Sequence, residues 1–481
     1  MKYFEHLPVK VKNLVNYLSR IDQDVYLIGG FVRDCILGKT SYDLDFVLID
    51  LDPNEFCQDL SLKFPGKAIL LDKVTKTTRF ILEDDSTKPY TFDFTGVSRE
   101  KLDEDFKRRD FTINALAIAL KNPGIVIDKF CGIDDLKNKK IRIIDEKNLH
   151  DDPLRILRAF RFAACLDASI DKETLTALHT NLGEFHDIAS ERISQELWKM
   201  FESDTSYAHF KAMGDAGLLE IIFPELTECR KVPENDFHHL NLFDHSVYLI
   251  DTFEKHFSKI PGWASEYLNS PHGEIYSPKK KSVAKLGALL HDIGKPKTWE
   301  IKNVKGNEKH TFIGHDKVGA EMSDLICERL KLSNLITKTI SKLIKQHLRP
   351  FQLSHGGYTQ ISNRALFKFF RELDVDTPLL LMLALADHYA TCGPKISSED
   401  ILDGERLLLF LFDEYKKYQD VTLEQSKKKI LLDGNEIMNI TGLKPSRNLG
   451  ILIKSLDEEV FLGNIITKED AVKWVKNQIK N

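Results

Sequence analysis

The segment Tyr26–Ile49 reads YLIGGFVRDCILGKTSYDLDFVLI and sets the architecture of the N-terminal part of the chain. A short apolar strand leads into the Gly29-Gly30 turn and a short helix, and a second apolar strand follows. Asp43 and Asp45 stand one residue apart on this second strand, so their side chains point to the same face. Such a pair of carboxylates predicts a site for Mg²⁺, which prefers oxygen ligands and keeps substrate phosphates as partners.

The glycine turn next to this acid pair predicts a phosphate-binding site. Gly29 and Gly30 leave room for a triphosphate to approach the backbone, and the following helix begins with free amide groups. A surface Asp-Leu-Asp after a turn is the alternative, because Asp-x-Asp alone is common. The whole run resembles the active-site signature of the class II tRNA nucleotidyltransferase and bacterial poly(A) polymerase family. The resemblance implies nucleotidyl transfer with Mg²⁺ on Asp43 and Asp45, and a triphosphate pocket shaped by Gly29, Gly30, Arg33 and Asp34.

A second motif, KRRDFTINA, occupies residues 107–115. Arg109 can offer a planar bidentate fork to a phosphate, and Asn114 can offer an amide to the ribose or a phosphate. A salt-bridged helix start is the alternative, but the run resembles the second motif of the same family. Asp93 alternates with apolar residues on a predicted strand, and two interpretations stay open for it: a third acidic metal ligand, or a surface residue of an edge strand.

A third motif, DDPLRILRAFRF, occupies residues 151–162. Its acids and Pro153 are also ordinary signals of a helix start. A carboxylate and a guanidinium one turn apart can read the edge of a base, and cytosine and adenine both present an exocyclic amine. The run resembles the family's protein template, with Asp151 in place of the usual Glu. The resemblance implies that Asp152 and Arg155 select CTP or ATP. Arg155, Arg158 and Arg161 are spaced by three and form a basic stripe along one helix face, and Arg158 is a further predicted nucleotide-binding residue. The segment ERISQEL at 191–197 resembles the next motif, a structural support.

The second half of the chain carries a histidine and aspartate pattern that predicts a second metal site. His245, the pair His291-Asp292 and Asp387 stand on predicted helices, and together they can bind one divalent ion. The alternative is a core helix with an accidental His-Asp, but the continuation Ile-Gly-Lys-Pro resembles the HD phosphohydrolase superfamily. The resemblance implies metal-dependent cleavage of phosphate esters with an unidentified divalent transition metal. His315 and His347 are candidate ligands of a second ion, although His347 also fits a surface histidine.

Composition limits the classes of protein that the chain can belong to. Its 481 residues suggest several domains, and its net charge of −5 (68 − 73) means that any RNA-binding surface is a local patch. The seven cysteines form no Cys-x-x-Cys pair and predict reduced thiols. No signal-peptide pattern and no membrane-length apolar run is present in the sequence, which predicts a cytoplasmic protein that does not contact a membrane.

The sequence predicts an α+β fold in which strand signals fade after about residue 150. The predicted strands are 25–28, 46–49, 68–71, 90–94, 113–120, 125–127 and 141–144. The predicted domains are a nucleotidyltransferase head (1–148), a helical neck and body for template and tRNA binding (149–230), an HD phosphohydrolase domain (236–397) and a helical tRNA-binding tail (398–481). The resemblance implies the same order: a head followed by helical neck, body and tail.

The predicted function is a tRNA 3′-end nucleotidyltransferase that uses tRNA, CTP and ATP. Family members that add the full CCA carry a flexible segment between the third acidic strand and the Arg-Arg-Asp motif, whereas only nine positions separate Asp93 from Leu102 here (102 − 93 = 9). Addition of CC alone therefore stays open beside full CCA addition, and it requires a separate A-adding enzyme in the same cell. A poly(A) polymerase, or an HD phosphohydrolase whose head senses nucleotides or RNA, are the alternatives, and the oligomeric state is not predicted.

Overall fold

The computed structural model describes residues 2–72, 77–83, 89–234, 239–274, 277–304, 307–353, 358–391, 393–427 and 431–480. The chain divides into two compact units, Met1–Met200 and Phe201–Asn481. The unit boundary falls inside the predicted segment 149–230, and the four-domain division stays a prediction. Its boundary at residue 236, like Cys392, lies outside the described residues.

The first unit combines a sheet with short helices. Its elements in chain order are α1 Val9–Leu18, β1 Val25–Ile28, α2 Gly30–Ile36, β2 Asp43–Ile49, α3 Pro53–Ser61, β3 Gly66–Asp72, β4 Thr77–Leu82, β5 Thr91–Val97, α4 Leu102–Lys107, β6 Leu116–Ala119, β7 Val126–Asp128, α5 Gly132–Lys137, β8 Lys140–Ile141, α6 Lys147–Asp151, α7 Leu154–Leu166, β9 Ser169–Ile170, α8 Lys172–Thr180 and α9 Ser190–Glu202. Seven of these strands form one sheet in the order β3-β4-β5-β2-β1-β6-β7.

The acid pair lies near the middle of this sheet. β2 pairs with β5 in parallel and places Asp45 opposite Asp93, while β1 pairs with β2 antiparallel and places Ile28 opposite Asp45. Asp43 at the start of β2 is exposed, and the apolar residues that follow Asp45 are buried. Buried side chains from β2, α4 and β6, including Val47, Phe106 and Ala117, pack in one cluster. The rigid sheet therefore holds the acids at the point where β2 emerges from the core.

The second unit is built mainly of helices. Its elements are α10 Tyr207–Ala216, α11 Leu218–Ile222, α12 Leu226–Cys229, α13 Leu242–His256, α14 Gly262–Asn269, α15 Lys280–Leu290, α16 Lys295–Thr298, β10 Glu300–Val304, β11 Asn307–Thr311, α17 His315–Arg329, α18 Asn334–Gln346, α19 Arg349–Gln352, α20 Asn363–Leu373, α21 Thr377–Ala390, α22 Ser398–Lys427, α23 Gly434–Thr441, α24 Arg447–Phe461 and α25 Lys468–Lys480. None of the helices in the described part of the chain is both long enough and apolar enough to cross a membrane.

Two buried helices position the predicted HD residues. Every residue of α15 from Lys281 to Leu290 is buried, so its end delivers His291 and Asp292 into the interior. α21 begins with Pro378 in its first turn and is buried along its apolar run, which carries Asp387 near the C-terminal end. Helices without a polar face pack on all sides, and their few polar residues therefore meet at interior sites.

The α+β fold is confirmed. The hairpin β10–β11 corrects the prediction that everything after the head is helical, because its residues EIKNV and NEKHT lack the apolar alternation that reveals a strand. The strand predicted at 113–120 is wrong over its first residues, where Thr112–Asn114 form a 3-10 turn before β6. Strand β4 was not predicted.

Candidate active sites

The residues that the sequence assigns to the nucleotide site lie around one cavity of about 570 Å³ in the first unit. The assigned residues that line it are Gly29, Gly30, Arg33, Asp34, Asp43, Asp45, Arg109, Asn114, Asp152, Arg155 and Arg158. The same wall contains residues that sequence reasoning did not assign: Phe31, Ser41, Asp110, Arg161, Phe162 and Lys199. The geometry brings the three motifs together, and the roles of the individual residues stay predictions.

Gly29 keeps open the space between a guanidinium and a carboxylate. Its φ of +84° lies in the region that side chains rarely adopt. A Cβ at this position would lie 3.1 Å from Nη1 of Arg109 and 3.5 Å from Oδ2 of Asp45. Any larger residue would therefore occupy the gap in which a phosphate could contact both the arginine and a metal held by the acid.

A chain of hydrogen bonds fixes the side chains along one wall of the cavity. Arg33 donates from Nη1 to Oδ1 of Asn114 at 2.6 Å, and Asn114 donates from Nδ2 to Asp110 at 2.9 Å. Arg158 donates from Nε to Oδ2 of Asp110 at 2.9 Å. Burial by itself would raise the pKa of Asp110, but Arg158 and the hydrogen bond from Asn114 lower it to about 2. Asp110 is thus an ionised anchor, which sequence reasoning missed although it stands inside the Arg-Arg-Asp motif.

The acid pair has the electrostatics of a cation site. Burial raises the pKa of Asp45 to about 6; Arg109 opposes this rise, and the carboxylates of Asp93 and Asp43 add to it. Thr91 donates a hydrogen bond to Asp43 and orients that carboxylate. Because the carboxylates repel one another, a divalent cation between them would stabilise their ionised forms, and oxygen ligands match Mg²⁺. The donor set therefore fits the predicted metal.

Asp93 is held by an arginine. It lies on β5, which has β4 on one side and β2 on the other, so the edge-strand interpretation is wrong. Arg79 of β4 donates from Nε and Nη2 to the two oxygens of Asp93, each at 2.7 Å. Bidentate pairs of this kind are strong and directional. The interpretation of Asp93 as a third metal ligand stays a prediction. If Asp93 binds a metal, its carboxylate has to keep its contact with Arg79 beside the metal or give that contact up.

The predicted base-reading pair is also held by neighbouring groups. Asp152 accepts a hydrogen bond from Nη2 of Arg192 at 2.8 Å, and Arg155 donates from Nη1 to the carbonyl of Asn148 at 2.9 Å. Arg192 belongs to the ERISQEL segment on α9. The segment that the sequence treats as a support thus contacts the template carboxylate directly.

An aromatic ring stands among the guanidinium groups of the cavity wall. The Cζ atoms of Arg161, Arg33 and Arg158 lie 3.3, 5.1 and 5.3 Å from the centre of the Phe162 ring. Arg161 also donates from Nε to Glu196 at 2.6 Å. The face of an aromatic ring attracts cations. Phe162 therefore holds the three guanidinium groups around its ring and keeps them apart from one another. Helical periodicity marks Phe162 only as a core residue, and no sequence signal reveals this contact.

The second candidate site lies in the second unit and contains all six predicted HD residues. They form two groups, His245 with His291 and Asp387, and Asp292 with His315 and His347, and within each group the ligand atoms lie within 4.8 Å of one another. Asp292 lies between the groups, with Oδ2 3.1 Å from Nε2 of His291 and Oδ1 3.2 Å from Nε2 of His315. His347 is buried, so the surface-histidine interpretation is wrong.

Backbone carbonyls set the tautomers of three of these histidines. Nδ1 of His291, His315 and His347 lies 2.8, 2.7 and 2.6 Å from the carbonyl three residues earlier. Because a carbonyl only accepts, each Nδ1 carries the hydrogen, and Nε2 of a neutral ring then offers a lone pair. Burial lowers the pKa of His347 to about 4, which keeps that ring neutral.

The inward-pointing atoms of this site fit metal ions. Nε2 of His315 and Nε2 of His347 lie only 3.3 Å apart. Two lone pairs that face each other at this distance repel, and a cation bound by both removes the conflict. The surroundings are tight, since the neighbouring cavity beside His245, Lys295 and Phe312 holds only about 10 Å³. The donor set of imidazole nitrogens and carboxylates suits a divalent transition metal.

Comparisons with protein families match three stretches of the chain. Residues 25–142 match the poly A polymerase head domain. Residues 168–230 match a family described as the probable RNA- and SrmB-binding site of polymerase A, and residues 242–392 match the HD domain.

Relatives that span nearly the whole chain carry related names. An A-adding tRNA nucleotidyltransferase of Deinococcus radiodurans is 30% identical over 459 residues, which cover 94% of each chain. A CC-adding tRNA nucleotidyltransferase of Thermus thermophilus is 27% identical and covers 93% of this chain and 92% of its own. A solved CCA-adding enzyme of Thermotoga maritima in complex with tRNA shares the fold with a TM-score of 0.63 and 21% identity, over 99% of this chain and 98% of its own.

Proposed function

The chain belongs to the tRNA nucleotidyltransferase family, and on this premise we propose that it extends the 3′ end of tRNA with nucleotides from CTP or ATP. The observation that carries the proposal is the single cavity in which the glycine turn, the acid pair and the basic template helix meet. Each of these features alone has an ordinary structural explanation. Their convergence on a space of about 570 Å³ provides binding groups for phosphates, ribose and base together.

The residues around the cavity divide the work of the reaction. Asp43 and Asp45 would hold Mg²⁺, which when bound stabilises the negative charge that develops on the α-phosphate and the leaving group. Gly29 leaves space for the triphosphate, and Arg33 and Arg109 donate to its oxygens. The 3′-hydroxyl oxygen of tRNA forms a bond to the α-phosphorus while the bond to the bridging oxygen breaks. Pyrophosphate leaves, and the hydroxyl proton passes to water.

The template residues select the base by hydrogen bonding. Asp152 accepts from the exocyclic amine that cytosine and adenine share, and Arg155 donates to the ring nitrogen or carbonyl beside it. Arg158 donates a hydrogen bond to Asp110 and so helps to hold the side chains of the cavity wall in place. Guanine carries a carbonyl oxygen at C6 and uracil one at C4, where adenine and cytosine carry the amine. Either base would therefore leave the carboxylate without a donor at that position, which disfavours its binding.

The specificity that we propose is addition of CC. β5 ends at Val97 and α4 begins at Leu102, with a 3-10 turn at Arg99–Lys101 between them, so an ordered connection occupies the place of the flexible segment. Without a flexible segment at this place, the template pocket keeps one geometry and does not switch from binding CTP to binding ATP. A separate A-adding enzyme would then complete the end. The A-adding relative is 30% identical to this chain and the CC-adding relative 27%, so sequence identity does not decide between addition of A and addition of CC.

Primer extension tests the function and its specificity together. Purified protein is incubated with Mg²⁺, a tRNA that lacks its last three nucleotides, and labelled CTP or ATP, separately and together. Products that stop after two C residues even with ATP support CC addition, and a complete CCA end contradicts it but keeps the family function. A long A ladder would indicate a poly(A) polymerase. Absence of any addition, both to this tRNA and to a tRNA that already ends in CC, would favour a phosphohydrolase whose head senses nucleotides or RNA.

A second candidate function follows from the two metal-binding groups in the second unit. The two neighbouring groups, joined by the contact of Asp292 with His291, support a metal-dependent phosphohydrolase that cleaves phosphomonoesters or phosphodiesters. Bound metals would supply the Lewis acid and the activated water for such chemistry. Release of nitrophenol from bis(p-nitrophenyl) phosphate, with Mn²⁺, Ni²⁺, Co²⁺ or Mg²⁺ supplied in turn, tests this activity. No release with any of these ions would contradict it.

A further inference from the structure

A second cavity of about 230 Å³ opens beside the nucleotide cavity in the first unit, and its lining is rich in donors. It is lined by Thr77, Thr95, Asp105, Arg108, Arg109 and Arg155. Three guanidiniums and one carboxylate leave a formal charge of +2, which suits an anionic guest. Arg109 and Arg155 line both cavities, so they form the wall between them.

The strands place this cavity next to the acids. Thr95 follows Asp93 by two positions on β5, so the two side chains share a face, about 7 Å apart along the strand. Thr77 and Thr95 stand opposite each other on β4 and β5, and their hydroxyls are 3.2 Å apart. The catalytic face of the sheet thus continues from Asp45 through Asp93 to a pair of hydroxyls.

The strands that carry the glycine turn and the threonine pair lie on opposite sides of β2, the strand of the acid pair. β1 and its glycine turn neighbour β2 on one side, and β5 and β4 follow on the other. In nucleotidyl transfer the attacking oxygen and the leaving pyrophosphate lie in line on opposite sides of the α-phosphorus. If the triphosphate occupies the side of the glycine turn, the attacking hydroxyl has to approach from the side of β5 and β4.

We propose that the second cavity binds the 3′-terminal ribose and phosphate of the RNA acceptor. The proposal rests on the function proposed above and assigns the acceptor to residues for which the sequence predicted no role, Thr77, Thr95 and Arg108. The hydroxyls of Thr77 and Thr95 hydrogen-bond ribose hydroxyls or phosphate oxygens, and Arg108 neutralises a phosphodiester. The acceptor hydroxyl then lies at the edge of the face that carries Asp93 and Asp45.

The partners of the arginines support this assignment. Asp105 is buried and contacts Nη2 of Arg108 at 3.2 Å and Nη2 of Arg109 at 3.4 Å, so one carboxylate orients both guanidiniums. The Arg108 side chain is 59% exposed, which leaves other donors of its fork available to a ligand. Nε of Arg109 is buried and has no hydrogen-bond partner within the part of the chain that the structure describes.

Three variants test the acceptor site: Arg108→Ala, Thr95→Val and Lys107→Ala. Lys107 is the matched control, because it precedes Arg108, carries the same charge, is exposed and does not line the cavity. Rates are measured with a tRNA lacking its last three nucleotides at several salt concentrations, and CTP binding is measured separately by calorimetry. Thermal midpoints of all variants check that each one is folded.

Arg108→Ala should raise the KM for the acceptor roughly fivefold to tenfold, and the slope of log KM against log salt should fall by about 0.7, the value for one phosphate contact on a single strand. Thr95→Val should raise that KM about twofold to fivefold, as for one lost hydrogen bond. The Kd for CTP should stay unchanged in both, and Lys107→Ala should behave as the unaltered protein.

Three results would overturn the proposal. An unchanged acceptor KM in Arg108→Ala and Thr95→Val would mean that RNA does not use this cavity. A rise in the Kd for CTP that matches the acceptor effect would assign the cavity to the nucleotide. An equal rise of the acceptor KM in Lys107→Ala would mean that Arg108 contributes only general surface charge. Failure of the proposed function is distinguishable from all three, because the unaltered protein would then add no nucleotide to any acceptor.

Discussion

The two candidate sites solve the problem of holding charged groups in different ways. In the cavity of the first unit, side chains hold side chains: Asp110 orients Arg158 and Asn114, and Arg79 holds Asp93. In the second unit, backbone carbonyls orient the rings of His291, His315 and His347. The first site is an open space of about 570 Å³, whereas the cavity beside the second holds only about 10 Å³.

This difference matches the demands of the two proposed reactions. A site that accepts a nucleotide and an RNA end needs room, and its side chains can exchange partners when ligands arrive. A metal centre needs fixed lone pairs at fixed distances, and a helical backbone provides them without further side chains. We therefore expect substitutions of the cavity residues other than the acid pair to change substrate preference and rate in graded steps. Substitutions of the ligands in the second unit should remove metal outright.

The largest effect should come from the acid pair. Asp45→Ala should lower nucleotide incorporation at least about a thousandfold, because losing a metal ligand removes several kcal/mol of transition-state stabilisation. Incorporation into a shortened tRNA measures it, and Asp59→Ala, an exposed acid of α3 outside the cavity, is the control. Release of nitrophenol by the second unit should be unaffected, and joint loss of both activities would contradict two independent sites.

The reciprocal test is Asp292→Asn, which keeps the volume of the side chain but weakens a ligand that belongs to one group and contacts His291 of the other. We expect metal affinity in the second unit to fall at least about a hundredfold, together with any phosphohydrolase activity. Metal content after dialysis, measured by mass spectrometry, checks this, and nucleotide addition should remain. His272→Asn is the control, since His272 is a buried histidine of the same unit outside both groups. Equal metal content in both variants would refute the assignment.

A smaller effect should come from Gly29, where a side chain would both fill space in the cavity and strain the backbone. Gly29→Ala places a methyl 3.1 Å from Arg109, whereas Gly38→Ala is also strained by a positive φ, +67°, and meets nothing within 4 Å. Both should lose at least about 1 kcal/mol of stability. Only Gly29→Ala should also lower kcat/KM for CTP, by roughly tenfold to a hundredfold, through displaced phosphate contacts. Equal activity of the two variants would mean that Gly29 serves the turn and not the pocket.

The same contrast explains how much the sequence could predict. The glycine turn and the acid pair lie within one short segment, and its strand periodicity together with its resemblance to the family signature predicted that Gly29, Asp43 and Asp45 line one site. The pairs Arg79–Asp93 and Arg192–Asp152 join separate elements, and no spacing in the sequence specifies which arginine reaches which acid. In the second unit the sequence predicted all six ligands but assigned Asp292 to the ion of His245, His291 and Asp387. The structure groups Asp292 with His315 and His347 instead, because the grouping depends on helix packing and not on spacing along the chain.

The smallest effect should come from Arg192, which contacts Asp152 at 2.8 Å and has a side chain that is 51% exposed. A half-exposed ion pair contributes at most about 1 kcal/mol, so Arg192→Ala should change kcat/KM no more than about fivefold. The informative quantity is the ratio of kcat/KM for CTP to that for ATP. If Arg192 fixes the orientation in which Asp152 meets one base, its removal should bring the ratio closer to one.

Two further variants distinguish this positioning role from a general loss of charge. Arg192→Lys keeps the charge and should restore most of the preference for one nucleotide, while Glu191→Ala, its exposed neighbour on α9, should leave the ratio unchanged. A fall in both kcat/KM values at a constant ratio would mean that Arg192 supports only the helix start. A shifted ratio would instead mean that the specificity of the pair Asp152 and Arg155 depends on a third side chain, which lies 40 positions from Asp152 in the sequence.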